Sequence, residues 1–248
     1  MRPATSVIHL DRTALTGALL RLVARRTRYL EKEILGLPQI VAPGAVCVDV
    51  GAAAGLYTVL LSELVGETGH VLRVEPLPFV HPLWTRLLRA GPNVSCHAVA
   101  LGAEPGQGTM SVPMGRYGLV TGRSFLAWHT NGLGSNSEFA AHVEVRVEVD
   151  TLDALCARAG LIRLDFLKID VEGAEPHVLT GGAGVIEKFR PAILMEIETR
   201  HLSRYGQSAQ TVVSWLRARD YTMHHWHDGW RETADVSEEH RNYLFRAR

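Results

Sequence analysis

The stretch Val46-Cys47-Val48-Asp49-Val50 is an apolar, β-branched run interrupted by one acid, and it feeds directly into Gly51-Ala52-Ala53-Ala54-Gly55 and Leu56-Tyr57-Thr58. Such a run reads as a buried strand, and the small residues after it permit a tight turn into a helix. Gly51 and Gly55 let the backbone approach a ligand closely, while free N–H groups at the helix start attract a carboxylate or a phosphate. The stretch therefore reads as a cofactor cradle. The alternative is a strand-to-helix turn without a ligand, because short glycine patterns recur by accident.

Spacing narrows the choice of cofactor. The dinucleotide fingerprint Gly-x-Gly-x-x-Gly needs a glycine where Ala53 stands, and the glycines here are four residues apart. A second strand, His70 to Val74, ends in Glu75-Pro76, which sets a carboxylate about 20 residues after the loop, where ribose hydroxyls are gripped. Nicotinamide dinucleotides and S-adenosylmethionine both carry that ribose. Asp49, just before the loop, suits the cationic amino group of S-adenosylmethionine better than a pyrophosphate.

The chain of 248 residues, 46% hydrophobic and 21% charged, has the composition of a globular protein with a substantial core. Lys+Arg and Asp+Glu both number 26, which argues against nucleic acid or anionic membrane as a partner held by bulk charge. No run approaches the roughly 18 apolar residues of a membrane span, and the start lacks the layout of a secretion signal, so a cytoplasmic location is expected. The three cysteines, Cys47, Cys96 and Cys156, lack metal-type spacing and read as small buried hydrophobes.

Along the chain, residues 1 to 10 read as a tail or dimer arm. Helical spacing follows to about Leu35, with Leu15, Leu19, Leu22 and Val23 on one face. That amphipathic helix is expected to pack on the domain or on a second subunit, which makes a homodimer plausible. Residues 1–40 are thus a helical extension and 41–248 one domain. From there, strands alternate with helices (strand 46–50, helix 55–65, strand 70–74, helix 79–90, strand 93–98), which implies a parallel sheet covered on both faces.

Residues 102–141 break the rhythm with Gly, Ser, Thr and Asn, and read as a substrate-binding insertion or lid, against a disordered insertion. Tyr117 and Trp128 there, with Trp226 and Trp230 near the C-terminus, are candidates for stacking on a sugar or for packing on the core. The alternation in His142 to Val149 marks a half-buried strand, apolar at odd positions. Asp150 or Thr151 can cap the following helix, and Asp153 has a structural role there ahead of a catalytic one. Strands ending in Asp170 and Glu196 bring two carboxylates to the sheet edge where open α/β folds bind ligands. Converging acids imply a divalent cation between them or a carboxyl holding its proton as a general base, against simple ion pairs with Lys168, Arg190 or Arg200. His142 and His201 are further base candidates, whereas His224, His225 and His227 read as solvated or stacked.

Taken together, Val48-Asp49-Val50-Gly51, Gly55-Leu56-Tyr57-Thr58, Val74-Glu75-Pro76, Thr151-Leu152-Asp153, Lys168-Ile169-Asp170-Val171-Glu172-Gly173-Ala174-Glu175, Arg190-Pro191 and Met195-Glu196-Ile197 closely resemble the FkbM family of S-adenosylmethionine-dependent methyltransferases. The resemblance runs from about Glu31 to Phe245. It implies a class I methyltransferase fold, an α/β Rossmann-like, seven-stranded, mostly parallel sheet whose last strand inserts antiparallel. It also implies O-methylation of a hydroxyl on a sugar, polyketide or other secondary metabolite. By motif position, Asp49, Gly51 and Gly55 contact the methionine part of S-adenosylmethionine, Glu75 the ribose, and Val99 and Ala100 the adenine, with Ala52 and Tyr57 completing the set. Family members commonly carry Asn where Ala53 stands.

The expected chemistry is transfer of a methyl group to a small-molecule or glycan hydroxyl, with Asp170, Glu196, His142 or His201 assisting proton removal. Mg²⁺ held by Asp170 and Glu196 is an added expectation by fold-level analogy. A NAD-dependent oxidoreductase and a non-catalytic cofactor-binding protein of the same fold are the alternatives.

Overall fold

The structure, a computed structural model, describes residues 12–78, 88, 91–116, 118–128, 130, 139 and 141–248. The tail 1–10, the helix expected over 79–90, Tyr117, His129 and the glycine-rich run 131–136 lie outside the described residues, Leu88 apart.

The main sheet is formed by β1 (Val46–Val50), β2 (His70–Val74), β3 (Val94–His97), β9 (Phe166–Ile169), β10 (Ala192–Glu196), β11 (Tyr221–Trp226), β12 (Trp230–Thr233) and β13 (Asn242–Ala247). A smaller sheet contains β4 (Ala100–Leu101), β5 (Gly106–Gly115), β6 (Gly118–Leu119), β7 (Phe125–Leu126) and β8 (His142–Asp150). Among the described residues the α-helices are α1 (Arg12–Arg26), α2 (Leu56–Val65), α3 (Leu152–Arg158), α4 (Glu175–Gly181), α5 (Ala183–Phe189), α6 (Thr199–Leu202) and α7 (Ala209–Arg217).

The main sheet runs β12-β11-β13-β10-β9-β1-β2-β3. From β3 to β10 every pairing is parallel, and β13, the last strand of the chain, inserts antiparallel between β10 and β11. The central strands bury both faces. Val48, Val50, Leu167 and Ile169 join one core cluster, and Cys47, Phe166 and Leu194 join the other, which is why these strands show apolar runs rather than alternation.

Among the described residues eight strands stand in this sheet where seven were expected, because the chain after β11 folds straight back as a hairpin. His227 N–H bonds to Gly229 C=O at 2.9 Å, Asp228 and Gly229 both have positive φ, and β12 pairs back on β11 from Trp226↔Trp230 to Met223↔Thr233. An Asp-Gly pair between strand-like flanks is a turn signal in its own right. Trp226 and Trp230 pack edge to face over Gly36, whose carbonyl accepts the Trp230 indole N–H at 3.2 Å. They brace the N-terminal segment.

The segment after β4 also differs from a loop. β5 is ten residues long and pairs antiparallel with β8 from Gly106↔Val149 to Pro113↔His142. Its inward face begins with two glycines, and a Cβ on Gly106 would meet Trp128 at 2.8 Å, while one on Gly108 would meet Leu126 at 2.7 Å. Neighbouring side chains supply the apolar cover that β5 lacks, so its alternation is hard to see in the sequence.

Helix α1 turns its stripe outward, with Leu15, Leu19 and Leu22 at least half exposed. It docks through its other face, where the absence of a side chain at Gly17 makes room for Glu63 of α2 and Arg21 grips that carboxylate with two hydrogen bonds of 2.7 and 2.6 Å. Among the described residues, no helix is long and apolar enough to cross a membrane. Cys47 and Cys156 are buried, but Cys96 is exposed.

Candidate functional site

The turn after β1 is shaped by its backbone. Gly51, Ala53 and Gly55 all have positive φ, and a Cβ on Gly51 would lie 1.8 Å from the carbonyl oxygen of Asp170, so only glycine fits there. Ala53 donates its N–H to Glu75 Oε2 at 2.8 Å, and its carbonyl accepts from Arg73 at 2.6 Å. Glu75 Oε1 accepts from Leu77 N–H at 2.9 Å, so both oxygens of this carboxylate are fixed at the rim of the turn. Below the turn, Asp49 is 1% exposed and accepts from Thr58 Oγ1 at 2.6 Å; burial raises its carboxyl to about 6.

Two recesses meet at this turn. The first is lined by Gly51, Ala53, Glu75, Val99, Ala100, Asp170 and Glu172, and is closed by Thr121, Gly122, Ser124 and Leu126 from the smaller sheet. The second is lined by Asp49, Gly51, Ala52, Ala53, Tyr57, Lys168 and Asp170, and is closed by Tyr29, Leu30 and Glu31. Their volumes are about 90 and 240 Å³, and they share Gly51, Ala53 and Asp170 as a common wall. Tyr57 donates its hydroxyl to Glu31, which ties the N-terminal segment to the wall of the second recess.

The turn after β9 is shaped by side chains. Lys168, 1% exposed, lies 3.3 Å from Asp170 Oδ2 and donates to Asn242 Oδ1 at 3.1 Å, with its ammonium 5.0 Å from the Tyr57 ring centroid. Burial alone would strip its proton; Asp170, Glu31, Glu196 and Asp49 outweigh that and hold the charge. Glu172 has φ +54°, a conformation that side chains other than glycine and asparagine avoid, and three contacts over-determine it. Glu175 Oε1 accepts from Val171 N–H at 3.1 Å and Gly173 N–H at 3.2 Å, and Arg204 donates to the Glu172 carbonyl at 2.8 Å. Gly173 presses against the backbone of α6, where a Cβ would lie 2.4 Å from the His201 carbonyl oxygen.

That contact brings His201 to Glu172. His201 is 6% exposed, with Nδ1 3.1 Å from Glu172 Oε2 and 3.9 Å from Glu196 Oε2, yet in neither direction is the geometry that of a hydrogen bond. Burial lowers the imidazole to about 4, so it is neutral at pH 7. Burial, reinforced by the charge of Asp170, raises Glu196 to about 10 and Glu172 to about 8; Arg123 opposes the shift at Glu172. Glu175 is raised to about 7 by burial against its N–H bonds.

The structure therefore gathers Asp49, Gly51, Ala52, Tyr57, Glu75, Val99, Ala100 and Asp170 around the two recesses, with Glu196 and His201 behind Glu172. His142 lies elsewhere, exposed at the far end of β8 opposite Pro113, and Gly55 caps α2 beneath the turn. Asp153 is structural, as expected, but it caps α5 rather than its own helix, accepting from Gly184 and Val185 N–H at 3.0 and 2.8 Å. Sequence reasoning passed over Glu31 and Glu172, and it read the 121–126 wall only as part of the 102–141 substrate-binding insertion or lid. The acid-rich run after β9 contained the signal for Glu172; only the fold places the other two.

The sequence model of the methyltransferase FkbM domain matches residues 49–223. No curated protein matches the chain. Among solved structures, methyltransferase FkbM from Methylobacillus flagellatus is 13% identical at a TM-score of 0.45, and the match covers 95% of this chain and 59% of that one, so this chain spans less than two thirds of its length. Fibrillarin from Aeropyrum pernix with bound S-adenosyl-L-methionine is 14% identical (TM-score 0.44; 94% of this chain, 74% of that one). An O-methyltransferase from Bacillus cereus in complex with SAH is 10% identical (TM-score 0.45; 97% and 92%).

Proposed function

Because the chain belongs to the FkbM methyltransferase family, we propose that it transfers the methyl group of S-adenosylmethionine to a hydroxyl of a small-molecule or glycan acceptor, such as a sugar, a polyketide or another secondary metabolite. The observation that carries this reading is the pair of recesses joined at Gly51, Ala53 and Asp170. In this reading the adenosine lies in the first recess, with Glu75 on the ribose and Val99 and Ala100 on the adenine. The methionine part lies in the second, beside Asp49, Ala52 and Tyr57. Six co-directional strands with an antiparallel last strand support a class I methyltransferase sheet.

The acceptor hydroxyl then approaches from the side walled by Thr121, Gly122 and Ser124, which gives the smaller sheet the role of acceptor wall. Its oxygen forms a bond to the methyl carbon as the carbon–sulfur bond breaks, S-adenosylhomocysteine leaves, and the hydroxyl proton passes to Asp170. Much of the rate comes from holding oxygen, carbon and sulfur in line. Lys168 pairs with Asp170 at 3.3 Å and holds its carboxylate in place, and Glu196 and His201 form the buried polar backing behind it. His142 has no place in this mechanism. Mg²⁺ between Asp170 and Glu196 fits poorly, since the Lys168 ammonium already pairs with Asp170 and the neighbour of Glu196 on its other side is a histidine nitrogen, a donor that Mg²⁺ disfavours.

Calorimetry with S-adenosylhomocysteine and with NAD tests the cofactor: binding of the first and not the second is expected, and the reverse would make the protein an oxidoreductase. Asp170→Asn should then lower turnover at least about 100-fold across an acceptor panel while cofactor affinity stays within a few-fold. Cofactor binding without methyl transfer to any hydroxyl acceptor would favour a non-catalytic cofactor-binding protein.

A further inference from the structure

Behind the cleft, three side chains from three separate segments converge without completing one another's hydrogen bonds. Glu172 comes from the turn after β9, Glu196 from the end of β10, and His201 from α6. One ligand atom from each lies within 4.8 Å of the other two. Ligands held about 2.0–2.2 Å from one ion cannot be more than about 4.4 Å apart, so the cluster needs to close by only about half an ångström. His201 Nδ1 is buried, lacks a hydrogen-bond partner among the described residues, and lies 3.1 and 3.9 Å from the two carboxylates. Glu172 is held ready by its strained backbone, by Arg204 on its carbonyl and by the close seat of Gly173 on α6.

We propose that Glu172, Glu196 and His201 form a binding site for one divalent transition-metal ion. An imidazole nitrogen with two carboxylate oxygens suits Mn²⁺, Fe²⁺ or Zn²⁺ and disfavours Mg²⁺ and Ca²⁺, which take all-oxygen shells. Asp170 is excluded from the set by its pairing with Lys168. Glu172 also lines the first recess, so the site borders the cleft without being part of the cofactor cradle. The inference rests on these three residues and not on the methyl-transfer reading.

The test is titration of the full-length, metal-stripped protein with MnCl₂ and with ZnCl₂ by calorimetry, in the absence of cofactor, supported by the electron paramagnetic resonance signal of bound Mn²⁺. One saturable ion per chain is expected for the wild type. Glu172→Gln and His201→Gln should each weaken binding at least about tenfold, and His225→Ala, in the separate histidine cluster of the C-terminal hairpin, should leave it unchanged. Circular dichroism establishes that each variant is folded. Absence of saturable binding by the folded wild type overturns the site, as does binding that survives both ligand variants or disappears with His225→Ala. A parallel titration with S-adenosylhomocysteine separates the two readings, because failure of metal binding with intact cofactor binding defeats only the metal site.

Discussion

The turns leaving β1 and β9 lie side by side, since the two strands pair in parallel from Cys47↔Phe166 to Val50↔Ile169, yet they are built by opposite means. The β1 turn takes its shape from positive-φ backbone at Gly51, Ala53 and Gly55, and its polar contacts run through the main chain of Ala53. The β9 turn is held by side chains, with Glu175 closing it from within, Arg204 from outside and Lys168 neutralising Asp170. Backbone can surround a ligand closely without burying charge. Side-chain acids can handle a proton or a cation, at the expense of desolvation that raises Glu172, Glu175 and Glu196. In the proposed reading, adjacent strands separate recognition from chemistry within one edge of the sheet.

The comparison breaks hardest at Gly51, where the two turns touch. Gly51→Ala places a methyl group against the Asp170 carbonyl at a φ of +76°, and should cost about 3 kcal/mol of stability and at least tenfold in S-adenosylhomocysteine affinity. Denaturant unfolding and calorimetry measure both; wild-type values would mean that the turns are independent.

Asp49 on the β1 side and the acids behind the β9 turn all hold protons more tightly when folded, but Glu172 and Glu196 extend the effect to higher pH. Glu172 and Glu196 bind protons more tightly folded than unfolded, so the folded state carries extra protons and loses stability as pH rises from the ordinary carboxylate range toward about 8 and beyond. His201 acts in the opposite sense below its unfolded value near 6.5, because its folded value lies lower, so the decline is read above that point. Between about pH 6.5 and 8, Glu196→Gln should flatten the decline of the metal-free protein by about 1–2 kcal/mol, at 1.36 kcal/mol per unit for one proton. Melting curves that decline equally in both proteins would remove Glu196 from the charge cluster.

The smallest effect sharpens the picture of the β1 turn. Ala53 sits at φ +42°, where asparagine is more comfortable than alanine, so Ala53→Asn should stabilise the protein by about 0.5 kcal/mol. A lower melting temperature would show instead that the wall of the recess has no room for the longer side chain.

Much of this edge was legible because its signals are local. A strand that ends in small residues, an acid after β2 and a dense run of acids after β9 each carry their meaning within a few positions. What escaped depended on partners far away in sequence. The outward leucine stripe of α1 follows from Arg21 finding Glu63, and β5 went unseen because Leu126 and Trp128 cover its glycines. The Asp228-Gly229 pair is a local hairpin signal, but the strands flanking it are short and bear histidines, which masks their alternation.

By itself the sequence determined the α/β alternation, the glycine turn after the first strand and the family, because strand burial, glycine freedom and motif spacing are properties of contiguous residues. Only the tertiary structure decided that Glu31 walls one recess, that residues 121–126 wall the other, and that His201 faces Glu172 and Glu196 while His142 stands apart. Those neighbours are set by strand order and by the close seat of Gly173 on α6, and such distances between separate elements leave no imprint on the local run of residues.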